Sequence, residues 1–216
     1  MLITGISVET AGKASRNRFY YLCGMKKIAI LASGSGSNAE NLVRYFDKHP
    51  LVEVVMMISN RKNAFVFERM KRLGITSYYM SREAFENGSV LQLLKDQKVD
   101  WIILAGFLKL LPLSIINEYP ERIVNIHPAL LPEFGGEGMY GMHVHEAVVK
   151  SGVSKTGISI HFVNENFDEG EVIAQYETKV VPGDTPESVA AKIHELEMEW
   201  FPKVVEKVIT DERVTY

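Results

Sequence analysis

The sequence predicts an α/β fold: an open, mainly parallel, twisted sheet with helices on both faces and antiparallel strands toward the C-terminal end. Short, continuous apolar runs at residues 27–32 and 100–105 are typical of strands that are covered on both faces. Helical patterns alternate with such runs, which favours parallel strands joined by helices. Residues 156–163 instead alternate apolar with polar side chains and lead through a turn into a strand at 172–180, which predicts the antiparallel end.

In order along the chain, the pattern predicts alternating strands and helices. Apolar runs bounded by turn residues predict strands at residues 27–32, 52–59, 76–80, 100–105, 123–127, 156–163 and 172–180. Capping residues and helical spacing predict helices after Asn38, at 64–73 before Gly74, from the cap Ser81 to residue 96, from His143 to Lys150, and after a cap at Asp184 or Thr185.

The composition is that of an ordinary globular protein, and it excludes several classes of function. Hydrophobic residues make up 46% and charged residues 24% of the chain, and the net charge of -3 offers no basic field to nucleic acid. The single cysteine, Cys23, excludes an intrachain disulfide and makes a cytoplasmic location the default. No apolar run approaches the ~20 residues that a membrane span needs. We therefore expect small-molecule substrates, no nucleic-acid or membrane partner, and a monomer or homodimer.

The start of the first convincing strand sets the predicted domain boundary. Residues 1–24 mix polar and basic residues without a sustained apolar run, so they do not have the pattern of a signal peptide. Met25 stands directly before the strand. We expect residues 1–24 to be a loosely held N-terminal extension and residues 25–210 to form a single domain.

A glycine- and serine-rich turn joins the first strand to the first helix. It contains Gly34, Ser35, Gly36, Ser37 and Asn38. A strand, such a turn and a helix together expose backbone N–H groups and a helix N-terminus to an anion, which predicts a phosphate site. The alternative is a plain tight turn in which Ser or Asn caps the helix.

The same turn fits a dinucleotide-binding pattern, with Gly34, Gly36 and Ala39 at Gly-x-Gly-x-x-Ala spacing. That function needs an acidic residue at the end of the second strand to bind the ribose. The second strand ends instead in Asn60, Arg61 and Lys62. Arg61 could face a 2′-phosphate, so an NADP-binding protein stays open as a distant alternative.

The fifth strand carries the polar pair around which the rest is organised. Asn125 and His127 are two residues apart, so their side chains point to the same side of the strand, and Pro128 then ends it. An amide donor and a titratable imidazole at a strand's carboxyl end can hold and polarise a carbonyl oxygen. The alternative is a strand end whose Asn caps the turn and whose His is a surface group.

Two loops lie next to this pair in the predicted sheet. Apolar residues continue past the fourth strand at 106–112, where they either line a flat pocket or pack under the next helix. Residues 133–142 contain four glycines, which predicts a flexible loop or lid beside the site. His143 and His145 follow, but no Cys or Glu stands at ligand spacing on the same helix face, so we predict no metal.

Together these residues resemble one family, the folate-dependent phosphoribosylglycinamide formyltransferases of purine synthesis. The resemblance runs from about Met25 to Ile209 and implies a formyltransferase-like, Rossmann-type fold. It is carried by an ordered set of segments: the turn at 33–38, residues 105–108, residues 125–128 with 130–132, and the partners His161 and Asp168.

The resemblance implies a role for each matching residue. Asn125, His127 and Asp168 are similar to the catalytic trio, with His161 supporting them. The phosphate of glycinamide ribonucleotide would bind at the turn from Gly34 to Asn38, and its ribose at Glu197. The co-substrate 10-formyltetrahydrofolate would lie against Asn125 and five further residues: Arg82, Phe107, Leu108, Lys109 and Leu110.

The chain also departs from the family pattern. Glu171 stands where a proline is common, His194 stands where a glutamine can occur, and the loop at 133–142 is longer and richer in glycine. These departures concern the lid and the ribose contacts. Two other formyl-handling enzymes stay open as alternatives, although a formyltetrahydrofolate hydrolase would need an N-terminal regulatory domain and a methionyl-tRNA formyltransferase a C-terminal basic domain.

Overall fold

A computed structural model describes residues 24–211 of the chain. The predicted N-terminal extension lies outside the described residues apart from Gly24, and so does Cys23. The elements, numbered here in chain order, are β1 Lys26–Leu31, α1 Ser37–Tyr45, β2 Val52–Ser59, α2 Val66–Leu73, β3 Ser77–Tyr79, α3 Arg82–Glu86, α4 Ser89–Asp96, β4 Trp101–Leu104, α5 Leu113–Glu118, β5 Ile123–His127, α6 Met142–Ser151, β6 Lys155–Phe162, β7 Val172–Lys179 and α7 Pro186–Thr210.

The strands form one seven-stranded sheet in the order β3-β2-β1-β4-β5-β6-β7. The first five strands are parallel to one another, while β6 runs antiparallel to both β5 and β7. The predicted mainly parallel sheet with an antiparallel C-terminal end is therefore confirmed. The order changes direction at β1, with β2 on one side and β4 on the other, which places a ligand crevice at the carboxyl end of β1.

Apolar layers cover both faces of the sheet. On one face, Leu42 of α1, Val144 of α6 and Phe201 of α7 are fully buried against the central strands. On the other face, Leu94 of α4 and Ile115 of α5 are fully buried. Burial on both faces explains why β1 and β4 are continuous apolar runs rather than alternating ones.

One predicted helix is wrong, because the segment from Ser81 to residue 96 forms two helices. Asn87 and Gly88 separate α3 from α4, and Gly88 has a φ of 85° that a helix interior does not allow. The Asn87 side chain accepts a hydrogen bond from Ser89 N at 3.0 Å, which starts the second helix. The predicted cap Ser81 is confirmed, since its hydroxyl accepts from Ala84 N at 3.3 Å.

The start of the long helix α7 also follows the sequence. Of the two predicted caps, Thr185 is the N-cap, and its hydroxyl accepts from Ser188 N at 3.3 Å. In the opposite direction, Thr185 N donates to the Ser188 hydroxyl at 3.0 Å, which completes a capping box. This helix packs on α1 and α6, and it thereby brings Glu197 to the carboxyl edge of the sheet.

Candidate active site

A cavity of about 580 Å³ lies at the carboxyl ends of β1, β4 and β5. Its walls are the glycine- and serine-rich turn, the loop after β4, the glycine-rich loop at 133–142, and helices α6 and α7. Most of the predicted site residues line it: Gly34, Ser35, Gly36, Ser37, Asn38, Phe107, Leu108, Lys109, Asn125, His127, Asp168 and Glu197. Residues that are far apart in the sequence therefore meet in one place.

The predicted catalytic trio forms one connected cluster. His127 Nδ1 lies 3.3 Å from Asp168 Oδ2, and the two side chains are 3% and 11% exposed. Asn125 Nδ2 lies 3.4 Å from Asp168 Oδ1. The alternation of the strand thus puts both side chains on the side where Asp168 lies, as the spacing of the pair predicted.

His161 supports this cluster from the neighbouring strand. The antiparallel register pairs it directly with Asn125. Its Nδ1 donates to the backbone carbonyl of Phe162 at 2.7 Å, which fixes the ring. Its Nε2 then lies 3.0 Å from Asn125 Nδ2 and 3.5 Å from Asp168 Oδ1. The ring therefore sits between the amide and the carboxylate and restricts both.

Asp168 is held in place by a tight turn after β6. Its φ is 56°, and a Cβ on Gly170 would lie 1.8 Å from the carbonyl oxygen of Phe162, so only glycine fits there. Gly136 N donates to Asp168 Oδ2 at 3.0 Å. Burial alone would raise the pKa of Asp168, but the contacts with His127 and His161 and the bond from Gly136 outweigh it and hold the pKa well below its usual range. The carboxylate is therefore charged throughout the neutral range.

The glycine-rich loop also contacts His127. The backbone carbonyl of Phe134 lies 2.8 Å from His127 Nε2. A carbonyl and a carboxylate can only accept, so each ring nitrogen of His127 faces a hydrogen-bond acceptor. The loop thus touches both His127 and Asp168, through the Phe134 carbonyl and the Gly136 N–H.

The turn after β1 presents backbone rather than side-chain donors. Helix α1 begins after Gly36, whose φ is 78°, and no side chain caps it. The alternative in which Ser or Asn caps this helix is therefore wrong, and the helix N-terminus faces the cavity without a cap. Gly36 also packs closely, because a Cβ there would lie 2.3 Å from Val66 Cγ2.

Side chains from outside the turn hold its shape. The Ser33 hydroxyl donates to Asn60 Oδ1 at 2.7 Å and accepts from Leu108 N at 3.0 Å, which links the turn to the loop after β4. Arg69 Nε donates to the carbonyl of Ser35 at 2.9 Å and also pairs with Glu40. Arg61, which the NADP alternative requires, does not line the cavity.

Glu197 lies next to the turn. Asn38 Nδ2 donates to Glu197 Oε2 at 2.9 Å, and His194 Nδ1 lies 3.5 Å from the same oxygen. The hydrogen bond to Glu197 raises the pKa of His194. This end of the cavity therefore offers a carboxylate acceptor beside backbone donors, which suits a sugar hydroxyl beside a phosphate.

Two residues predicted at the folate do not line this cavity. Arg82 is on the short helix α3, its side chain is 91% exposed, and its Nε lies 2.6 Å from Glu86 Oε1. Leu110 is 45% exposed and is not part of the cavity wall. Of the predicted folate-facing apolar residues, Phe107 and Leu108 line the cavity, and the Phe107 ring packs on Phe85 with 5.4 Å between the ring centroids.

The sequence pattern assigned no role in the site to some residues that line the cavity. His145, Met139, Tyr140 and Glu137 all do so. The glycines at 133–142 predicted the loop but not which of its side chains turn inward. Among residues 24–211, no group of three His, Cys, Asp or Glu side chains is placed to hold a metal ion.

Comparisons with known proteins show the family to which the chain belongs. The family described as formyl transferase matches residues 26–205. The chloroplastic phosphoribosylglycinamide formyltransferase of Arabidopsis thaliana is 36% identical over 198 residues, which are 88% of this chain and 68% of that protein. The Bacillus subtilis enzyme of the same name is 32% identical over 86% of this chain and 95% of its own length. The chain belongs to the phosphoribosylglycinamide formyltransferase family.

Solved structures of the family agree with the fold. The Streptococcus pneumoniae phosphoribosylglycinamide formyltransferase has a TM-score of 0.77 at 36% identity, and the match covers 86% of this chain and all of that one. Glycinamide ribonucleotide transformylase 1 of Geobacillus kaustophilus has a TM-score of 0.78 at 34% identity, over 86% and 99% of the two chains. The predicted family, fold and enzyme class are confirmed, and this formyltransferase has no helix within residues 24–211 that is long and apolar enough to cross a membrane.

Proposed function

We propose that this formyltransferase moves the formyl group of 10-formyltetrahydrofolate to the amine of glycinamide ribonucleotide, giving formylglycinamide ribonucleotide and tetrahydrofolate. One observation carries the proposal: a single cavity joins an uncapped helix N-terminus to the cluster of Asn125, His127 and Asp168. The first feature suits a phosphate and the second suits acyl transfer. The family to which the chain belongs carries out this reaction, which supports the same assignment.

The cavity suggests an order for the parts of the ribonucleotide. Its phosphate binds the backbone N–H groups of the turn from Gly34 to Asn38. Its ribose then meets Glu197, which Asn38 already contacts. Its amine reaches the cluster at Asn125. The folate ring system lies against Phe107 and Leu108, where it faces an apolar wall.

The chemistry needs no covalent intermediate with the protein. The amine nitrogen attacks the formyl carbon, and the carbonyl oxygen becomes an oxyanion in a tetrahedral intermediate. The Asn125 amide N–H and the His127 imidazolium stabilise that charge. The bond from the formyl carbon to N10 then breaks, and the proton released by the amine passes to N10.

The glycine-rich loop takes part in this step. His127 Nε2 is hydrogen-bonded to the Phe134 carbonyl. The loop must therefore move away so that Nε2 can donate to the oxyanion instead. Asp168 stays bonded to the other ring nitrogen and keeps the imidazolium favourable. Through a water molecule, the same carboxylate can relay the proton from the amine to N10.

A transfer assay tests the assignment directly. The purified chain is incubated with 10-formyltetrahydrofolate, with and without glycinamide ribonucleotide, and tetrahydrofolate, formate and formylated ribonucleotide are measured. We expect tetrahydrofolate to form only when the ribonucleotide is present, in equal amount to the formylated product. Release of formate without the ribonucleotide would indicate a hydrolase instead, and an absence of turnover would contradict the proposal.

We further propose that the enzyme acts in the cytoplasm as a monomer or homodimer on small molecules alone. The single cysteine and the net charge of -3 support this setting. Fractionation of the native cells and light scattering of the purified chain test the two parts.

A further inference from the structure

His145 lines the cavity, yet the chemistry above gives it no task. It lies in the first turn of α6, directly after the glycine-rich loop, and is only 6% exposed. Among the described residues, its Nδ1 atom is buried without a hydrogen-bond partner. A buried polar group of this kind is costly, so its presence in the cavity wall calls for a functional explanation.

The ring is poised to donate one hydrogen bond into the cavity. Because Nδ1 is enclosed, Nε2 is the ring nitrogen that is left to meet a bound molecule. Burial lowers the pKa of His145; the nearby Glu197 acts against this shift, and His127 adds to it. The ring is therefore neutral near pH 7. Buried N–H groups without an acceptor are rare, so the hydrogen belongs on Nε2 and the lone pair on Nδ1.

His145 shares the wall of the cavity with Glu197, at the proposed ribose end, and with His127, at the proposed formyl end. The part of glycinamide ribonucleotide between the ribose and the amine is an amide followed by one methylene. The amide carbonyl is the hydrogen-bond acceptor of that part, and it matches a neutral N–H donor.

We propose that His145 Nε2 donates a hydrogen bond to the amide carbonyl of glycinamide ribonucleotide and so sets how far the amine reaches toward the formyl carbon. His145 is then a substrate-contacting residue that selects for the glycinamide group. The inference rests on the proposed function. It adds a contact on α6 to a site otherwise built from the sheet edge, the turn and α7.

Three substitutions separate this role from a purely structural one. His145→Phe keeps a flat ring without the donor, and His145→Asn places an amide at the position of Nδ1. His145→Gln reaches the position of Nε2 with a donor. The matched control is His143→Phe on the same helix, where the native side chain is 65% exposed and pairs with Glu146.

We expect His145→Phe and His145→Asn to lower kcat/KM for glycinamide ribonucleotide roughly 10- to 100-fold. The KM for 10-formyltetrahydrofolate stays unchanged, because the folate lies on the other wall. His145→Gln recovers most of the loss, and His143→Phe behaves as wild type. Melting curves identify any variant that is too unstable to assay.

Several results overturn the inference. An unchanged kcat/KM in His145→Phe does so, and so do equal rises in the KM of both substrates. If His145→Phe does not fold, equal activity of the Asn and Gln variants overturns it. If wild-type enzyme shows no transfer that depends on glycinamide ribonucleotide, the proposed function itself fails and this inference fails with it.

Discussion

The two ends of the cavity are built in different ways. At the formyl end, the polar groups are side chains that bond to one another: Asp168 alone contacts Asn125, His127 and His161. At the phosphate end, the donors that face the cavity belong to the backbone of an uncapped helix N-terminus, the Glu197 carboxylate lies beside them, and Arg69 holds the turn from outside.

This difference suggests that the two ends of the cavity affect different kinetic constants. Charges that are fixed in position before the substrate arrives stabilise a transition state without reorganising, so the formyl end should govern kcat. Open backbone donors bind an anion equally in the ground and transition states, so the phosphate end should govern the KM for glycinamide ribonucleotide. Each variant below is expected to change one constant and spare the other.

The largest effect is expected from Asp168→Asn. Loss of the carboxylate removes the partner of the imidazolium and the proton relay, so kcat falls by roughly 10²–10⁴-fold. The KM for glycinamide ribonucleotide changes little, and steady-state kinetics measure both constants. Asp184→Asn is the matched control. Hydrogen bonds, above all from Lys192, lower the pKa of the Asp184 carboxyl to about 2, and Asp184 lies outside the cavity wall. A kcat near the wild-type value in Asp168→Asn would contradict the assignment of kcat to the formyl end.

The next effect is expected at the phosphate end, in Gly36→Ala. The new Cβ would collide with Val66 and strain a backbone with a φ of 78°, which displaces the N–H groups. We expect the KM for glycinamide ribonucleotide to rise roughly 10- to 100-fold, with a much smaller change in kcat. Gly152→Ala strains a similar backbone, with a φ of 71° at the end of α6, and should leave KM unchanged. An unaltered KM in Gly36→Ala would remove the phosphate from this turn.

The formyl end should also respond to pH in a defined direction. The folded-state pKa of Asp168 is lowered, so its stabilising contribution is complete above the unfolded pKa of about 3.9 and declines as pH falls below it. Chemical denaturation should show wild type to be more stable than Asp168→Asn by about 1–3 kcal/mol at neutral pH. The difference should shrink below about pH 4. A difference that grows as the pH falls has the wrong sign for this account.

The smallest effect is expected from Arg69→Met. This side chain reaches the carbonyl of Ser35 and pairs with Glu40, and it is 27% exposed. Partly exposed pairs contribute about 0.2–1 kcal/mol, so the KM for glycinamide ribonucleotide should rise no more than about fivefold. Arg72→Met on the same helix is the control, because its guanidinium donates to the carbonyl of Glu68 and lies 5.9 Å from the centroid of the Phe65 ring, away from the carbonyl of Ser35. A larger rise than in Gly36→Ala would mean that Arg69 itself binds the phosphate.

The two ends also differ in how far the sequence could predict them. The phosphate turn is contiguous, so its glycines and its place after β1 predicted its structure, while phosphate as its ligand stays a prediction. The pair Asn125 and His127 was predictable for the same reason. Their contact with Asp168 depends on the register of β5 with β6 and on the turn at Gly170, and neither follows from local pattern.

The remaining differences have similar causes. Arg82 was placed at the folate by resemblance; its side chain is 91% exposed and lies outside the cavity wall, so a contact with folate stays a prediction. His145 is on the buried face of α6 only because that helix packs on α7, a contact between distant segments. Local pattern thus predicts loops that bind through their backbone better than side chains that converge through tertiary packing.

The most direct test of the central claim is the single-turnover rate of formyl transfer in Asn125→Ala and His127→Ala, with both substrates saturating and folding verified by circular dichroism. If these side chains stabilise the oxyanion, each variant should bind both substrates and transfer the formyl group roughly 10²–10³-fold more slowly than wild type. Rates close to wild type in both variants would show that the formyl group reacts elsewhere.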